Sequence, residues 1–106
     1  MQFDDIRITL LQILSRQEVA GEFLSAKQIC KILKADYKQV WNQLEACYPE
    51  SNTYFNSKYT VETFVANTLK YYATNNGIPG LEQSEVTVTD ISKHKSAITT
   101  LVWRLS

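Results

Sequence analysis

The sequence predicts an α+β domain that is mostly helical, with three N-terminal helices, a fourth helix and a C-terminal β-hairpin. Three observations carry that expectation. Apolar residues recur at helical spacing through residues 3–15, 25–47 and 60–75. Residues 85–105 hold two stretches rich in β-branched types, the first in strict alternation. Turn formers stand between these blocks, at Gly21, Pro49 and the Asn75-Asn76-Gly77 and Pro79-Gly80 pieces.

The first helix is read over residues 3–15. Phe3, Ile6, Leu10, Ile13 and Leu14 share one face, and Ile8 and Leu11 widen it. A helix this apolar is expected to pack on two sides, against its own domain and against a second subunit. Gly21 breaks the pattern, and Glu22-Phe23-Leu24 is extended in character. Ser25 with Gln28 three residues on makes a capping box for the second helix, which is expected to end near Leu33 with Ile29, Ile32 and Leu33 inward. Lys34-Ala35 reads as an interruption. Asp36, with Gln39 three residues on, then caps a third helix over residues 37–47, whose inner face is Val40, Leu44 and Cys47.

Residues 49–59 read as a polar loop, with a short strand at 53–55. The fourth helix spans residues 60–75, with Val61, Phe64, Val65, Leu69 and Tyr72 on one face and Asn75-Asn76-Gly77 as its C-terminal stop. Val86 and Val88 line one face of the first hairpin strand, and Leu101, Trp103 and Leu105 one face of the second. Residues 92–96 form the polar connection. A helix capped by Asp90 competes for this stretch, because Ile91, Ile98, Leu101, Val102 and Leu105 also share a helical face. The strand reading is preferred.

With 106 residues, 44% hydrophobic and 21% charged, the composition is that of one globular domain over residues 1–106, not of a disordered chain. No apolar run approaches the roughly 20 residues that span a bilayer. Residues 1–5 show no basic segment or signal-peptide core, so a cytoplasmic protein is expected. Cys30 and Cys47 lie far apart in no metal-ligand pattern, and both are expected as buried, reduced thiols. The net charge is zero but uneven. Residues 1–24 carry a net of minus two, with Asp4, Asp5, Glu18 and Glu22 against Arg7 and Arg16. Residues 25–45 carry plus two, with Lys27, Lys31, Lys34 and Lys38 against Asp36 and Glu45.

That basic segment carries the one recognisable motif. Residues 24–45, from Leu24 and Ser25 through Ile29, Cys30, Leu33, Ala35, Asp36 and Val40 to Leu44, resemble a helix-turn-helix unit. The geometry asks for a small residue where two helices cross, inward apolar residues on both, and a cap for the second. Cys30 stands at the crossing position, Ala35 at the turn and Asp36 at the cap. The pattern departs from the family at Lys34, where glycine is common, and at Gln43, where an apolar residue is common. The order of elements also resembles a variant winged helix, with residues 85–105 as the wing. It is a variant because a long segment with its own helix separates the second motif helix from the hairpin.

The resemblance implies a DNA-binding protein, such as a small transcriptional regulator, that reads the major groove of double-stranded DNA with residues 37–47, as a homodimer on paired half-sites. Lys38 and Asn42 are the expected base readers and Tyr37 a phosphate ligand. Lys27, Gln28 and Lys34 are backbone-positioning groups, and Lys93, His94 and Lys95 sit at the wing tip. Trp41 is expected on the outer face, against DNA or as an anchor for a protein partner. A plainer alternative has it packed on the loop of residues 50–58. The second reading of function is an adaptor of the same fold that binds protein through the Trp41 face without DNA. An enzyme is not expected: the chain has a single histidine, no glycine-rich phosphate loop and no metal-ligand spacing, and no cofactor is implied.

Overall fold

The computed structural model describes residues 3–16, 21–51, 53–54, 57–90 and 96–105. Among these residues four helices and five strands follow in the order α1 (Phe3–Leu14), β1 (Leu24–Ser25), α2 (Ala26–Asp36), α3 (Lys38–Cys47), β2 (Thr53–Tyr54), β3 (Ser57–Lys58), α4 (Val61–Asn75), β4 (Leu81–Asp90) and β5 (Ser96–Leu105). The α+β, mostly helical class is as the sequence predicts. None of these helices is long and apolar enough to cross a membrane.

β1, β5 and β4 form one antiparallel sheet with β5 in the middle. β4 and β5 pair along their whole length, from Leu81 opposite Leu105 to Asp90 opposite Ser96. β1 covers only Trp103 and Val102 on the far edge of β5. β2 and β3 make a separate two-stranded piece. The hairpin starts earlier than the alternation of residues 85–89 suggests. The extra rungs are secured by polar pairs: Trp103 Nε1 donates to Gln83 Oε1 at 2.8 Å, and Arg104 Nε to Glu82 Oε2 at 2.7 Å. The helical alternative for this stretch is excluded.

One core joins the helices to the sheet. Ile6, Leu10, Ile13 and Leu14 of α1, Ile29, Cys30 and Leu33 of α2, Leu44 of α3, and Phe64, Val65 and Leu69 of α4 are buried together with Trp103 of β5. The residues expected on the inner face of α4 are all buried. Ile8 is not part of the buried face of α1: it is 64% exposed, because two residues from both Ile6 and Leu10 it points to the opposite side of the helix. Tyr71 is also exposed, while Tyr72 is buried.

Two helix boundaries have local causes. At α2, Ser25 Oγ accepts from the Gln28 N–H and Gln28 Oε1 accepts from the Ser25 N–H, a closed capping box. At the end of α4, Asn76 adopts the left-handed conformation (φ 59°) and the Gly77 N–H returns to the Tyr72 carbonyl at 3.1 Å, which is the six-to-one bond of a Schellman stop. Arg7 Nη1 then donates to the Gly77 carbonyl at 3.0 Å and ties α1 to this stop.

A third boundary departs from expectation. α2 continues through Leu33, Lys34 and Ala35 to Asp36, so Ala35 is a helical residue and not a turn residue. Asp36 does not cap α3. The position is taken by Tyr37, which makes no side-chain cap bond. Asp36 is held instead by Arg16, with Nη1 to Oδ2 at 2.8 Å, and the Arg16 guanidinium also lies 5.5 Å from the centre of the Tyr37 ring. A carboxylate held there cannot turn to the first amides of α3. The residues between α2 and α3 therefore shrink to one.

Candidate nucleic-acid interface

A single non-helical residue, Tyr37, separates α2 from α3, and its backbone (φ −130°, ψ 56°) breaks the helical path there. Cys30 and Trp41 are eleven positions apart and would stand roughly 16 Å apart in a continuous helix. In the structure both line one small cavity of about 100 Å³, with Glu45, Tyr48 and Glu62. α3 thus turns at Tyr37 toward the side of α2 that carries Cys30. Burial pushes the Cys30 thiol up to about 12, with the negative charge of Glu62 adding to the effect. The group stays protonated and is no nucleophile at neutral pH.

The inner face of α3 is narrow and rotated from the one expected. Leu44 is its only buried residue, with Val40 and Trp41 half-buried and packed on the core. Trp41 therefore does not project outward. It sits one turn before Leu44, on the same side, and lies against the entry to α4 and beside Glu50, which is closer to the plainer alternative. Cys47 is exposed, not buried. Tyr48, the next residue, stacks on Phe64 with ring centres 4.7 Å apart. Burial raises the pKa of the Tyr48 hydroxyl, with Tyr59 and Cys47 adding to the shift.

The remaining sequence-predicted residues divide into groups. Lys38 and Asn42 are exposed one turn apart on α3. Lys34 is exposed in the last turn of α2, so it and Lys38 flank the bend. Lys27 and Gln28 are exposed in the first turn of α2, although the carbonyl oxygen of Gln28 is committed to the capping box. Tyr37 is half-buried under Arg16 and packed on the core, which corrects its expected outward placement. Lys93, His94 and Lys95, the expected wing tip, lie outside the described residues, as do Phe55 and the side chains of Phe3 and Val88.

Two features escaped the sequence reading of the site. Lys31 completes a row with Lys27 and Lys34 at spacings of four and three, exposed along one face of α2 over about 10 Å. The spacing alone would have revealed it. None of Lys27, Lys31, Lys34 and Lys38 makes an ion pair with a described residue. The second feature is Arg16, which holds the bend. The bond to Asp36 raises its pKa above the ordinary arginine value, so the clamp carries its charge at any working pH. No spacing signal links Arg16 to Asp36 across twenty positions.

Among the described residues no group of three or more histidine, cysteine, aspartate or glutamate side chains is placed to hold a metal ion. No family model, curated protein or solved structure matches the chain.

Proposed function

We propose that this chain binds double-stranded DNA, with α3 in the major groove and the α2 lysines on the phosphate backbone, as a small transcriptional regulator would. The observation that carries the reading is the row Lys27, Lys31 and Lys34 with Lys38 beyond the bend: exposed cations with no acidic partner among the described residues, beside a helix whose outer face is polar. Unpaired cations at helical spacing are the raw material of phosphate contacts, whose strength comes from counterion release. Asn42 is the residue with the right groups for a bidentate bond to adenine, and Lys38 for a bond to guanine. The strand order β1–β5–β4, with β1 lying between α1 and α2, supports a variant winged helix in which the hairpin is the wing. α4 is the insertion that makes it a variant.

The test is binding of the full chain to a random-sequence duplex pool at several salt concentrations, followed by selection. Three phosphate contacts, from Lys27, Lys31 and Lys34, give a slope of about −2.7 in log affinity against log salt. Lys31→Ala and Lys34→Ala each lower that slope by about one and leave the selected sequence unchanged. Asn42→Ala relaxes one position of it. Retention of no duplex at low salt overturns the proposal. Half-burial of Trp41 weakens the adaptor reading, which relies on that indole as an exposed anchor.

A further inference from the structure

Among the described residues the sheet has an open edge. β1 pairs with β5 only at Trp103 and Val102 before the chain leaves the sheet to begin α2. Residues 96–101 of β5 are bonded to β4 on one side and to no described strand on the other. At roughly 3.4 Å per residue this edge runs for about 20 Å. It borders a groove of about 730 Å³ whose opposite walls are the start of α2 and the outer face of α4. Thr99, Thr100, Leu101, Val102 and Trp103 all line that groove. Successive strand residues point to opposite faces, so a groove that touches five in a row reaches the strand's edge as well as the face that carries Thr100 and, opposite it on β4, Val86.

The rim of this groove is basic. Lys27, Lys58 and Lys70 line it from α2, β3 and α4, against the single carboxylate of Glu62. All are exposed, and none of the three lysines makes an ion pair with a described residue. Val86, 44% exposed and directly opposite Thr100 on β4, adds an apolar patch on one side.

We infer that the free edge of β5 accepts an extended, acidic segment of a partner protein as an added strand, which continues the line that β1 abandons at Ser25. Main-chain hydrogen bonds to residues 96–101 supply affinity. Lys58 and Lys70, from β3 and α4, select acidic side chains along the segment. A nucleic acid would satisfy the lysines but not the row of backbone donors and acceptors.

The experiment uses the full chain and a fluorescent octapeptide of alternating valine and glutamate, with the lysine counterpart as control. The glutamate peptide is expected to bind at least tenfold tighter than the lysine peptide. Its contacts are expected to appear as amide shifts at Thr99, Thr100 and Leu101 in nuclear magnetic resonance spectra. Methylating every second peptide nitrogen abolishes binding in one alternation and spares it in the other, which simple charge attraction would not do. The double variant Lys58→Glu with Lys70→Glu weakens the glutamate peptide at least tenfold while leaving duplex binding through α2 and α3 intact. Lys58→Gln with Lys70→Gln, a milder change at two exposed positions, guards against loss of fold. Equal binding of both methylated forms, amide shifts elsewhere, or no binding at all overturns the inference. Binding of an oligonucleotide that the Lys58 and Lys70 changes abolish, without peptide binding, assigns the groove to nucleic acid instead.

Discussion

The two thiols sit on neighbouring helices in opposite surroundings. Cys30 is buried in α2, and Cys47 is exposed at the end of α3. A thiol reagent at neutral pH is expected to modify Cys47 within the mixing time and Cys30 only on unfolding, as read by mass spectrometry of the intact chain. Because burial raises the Cys30 pKa in the folded chain, the folded state holds this proton more tightly than the unfolded one. The stability this contributes is fully present below the ordinary thiol value of 9.0 and is lost as the pH rises toward about 12. In urea titrations across that window, Cys30→Ala should lose stability less steeply with pH than the parent chain. Parallel slopes would show that other groups carry the alkaline loss. Gly77 is a second position where one atom decides. A Cβ there would overlap the buried Tyr72 ring and approach Asn75 Oδ1 to 2.9 Å. Gly77→Ala is expected to cost about 1–3 kcal/mol by forcing that ring out of place, measured as a shift of the urea midpoint at constant slope.

At the scale of elements, helix ends explain both what was legible in the chain and what was not. The capping box of Ser25 and Gln28 and the stop at Asn76 and Gly77 depend on residues within five positions of one another, and both stand where local spacing puts them. Ser25→Ala is expected to cost about 1 kcal/mol, seen in denaturation. The loss falls on α2, so amide exchange should quicken in its first turn before anywhere else. The α2–α3 junction was misread because a distant partner decides it. Asp36 has the side chain of a good cap, but Arg16, arriving from the end of α1, holds it. The faces of α1, α2 and α4 were legible because each buries a broad stripe. α3 buries one residue fully, so a small rotation moved Trp41 inward and Cys47 outward. The first rungs of β4 were hidden because Glu82 and Gln83 look like loop residues until Arg104 and Trp103 lie opposite them. Of the candidate site, Lys27, Lys34, Lys38 and Asn42 are exposed as read, while Tyr37 and Trp41 serve packing.

At the scale of the whole molecule, the two tryptophans offer one reporter for each half. Trp41 lies half-buried on α3, and Trp103 lies buried in the middle strand, opposite Leu24 of β1 and Gln83 of β4 and in the core with α1, α2 and α4. Nothing in that core divides the helices from the sheet: Trp103 touches the same cluster as Leu33, Leu44 and Phe64. If the core is one unit, it melts as one unit. Two single-tryptophan variants, Trp41→Phe and Trp103→Phe, should therefore each show a single urea transition. In each variant the transition of the remaining indole should coincide with the far-ultraviolet signal. Trp103→Phe forfeits the 2.8 Å bond to Gln83, but its partner oxygen is on an exposed residue that water can serve, so the change should fold. Trp103→Ala removes the ring itself from the junction of strand and helices and should cost about 3–5 kcal/mol, enough to unfold a marginal domain of this size. An α3 reporter that melts well before the sheet signal would mean that the face proposed to read DNA is a separate, weaker unit, and that it orders on its ligand.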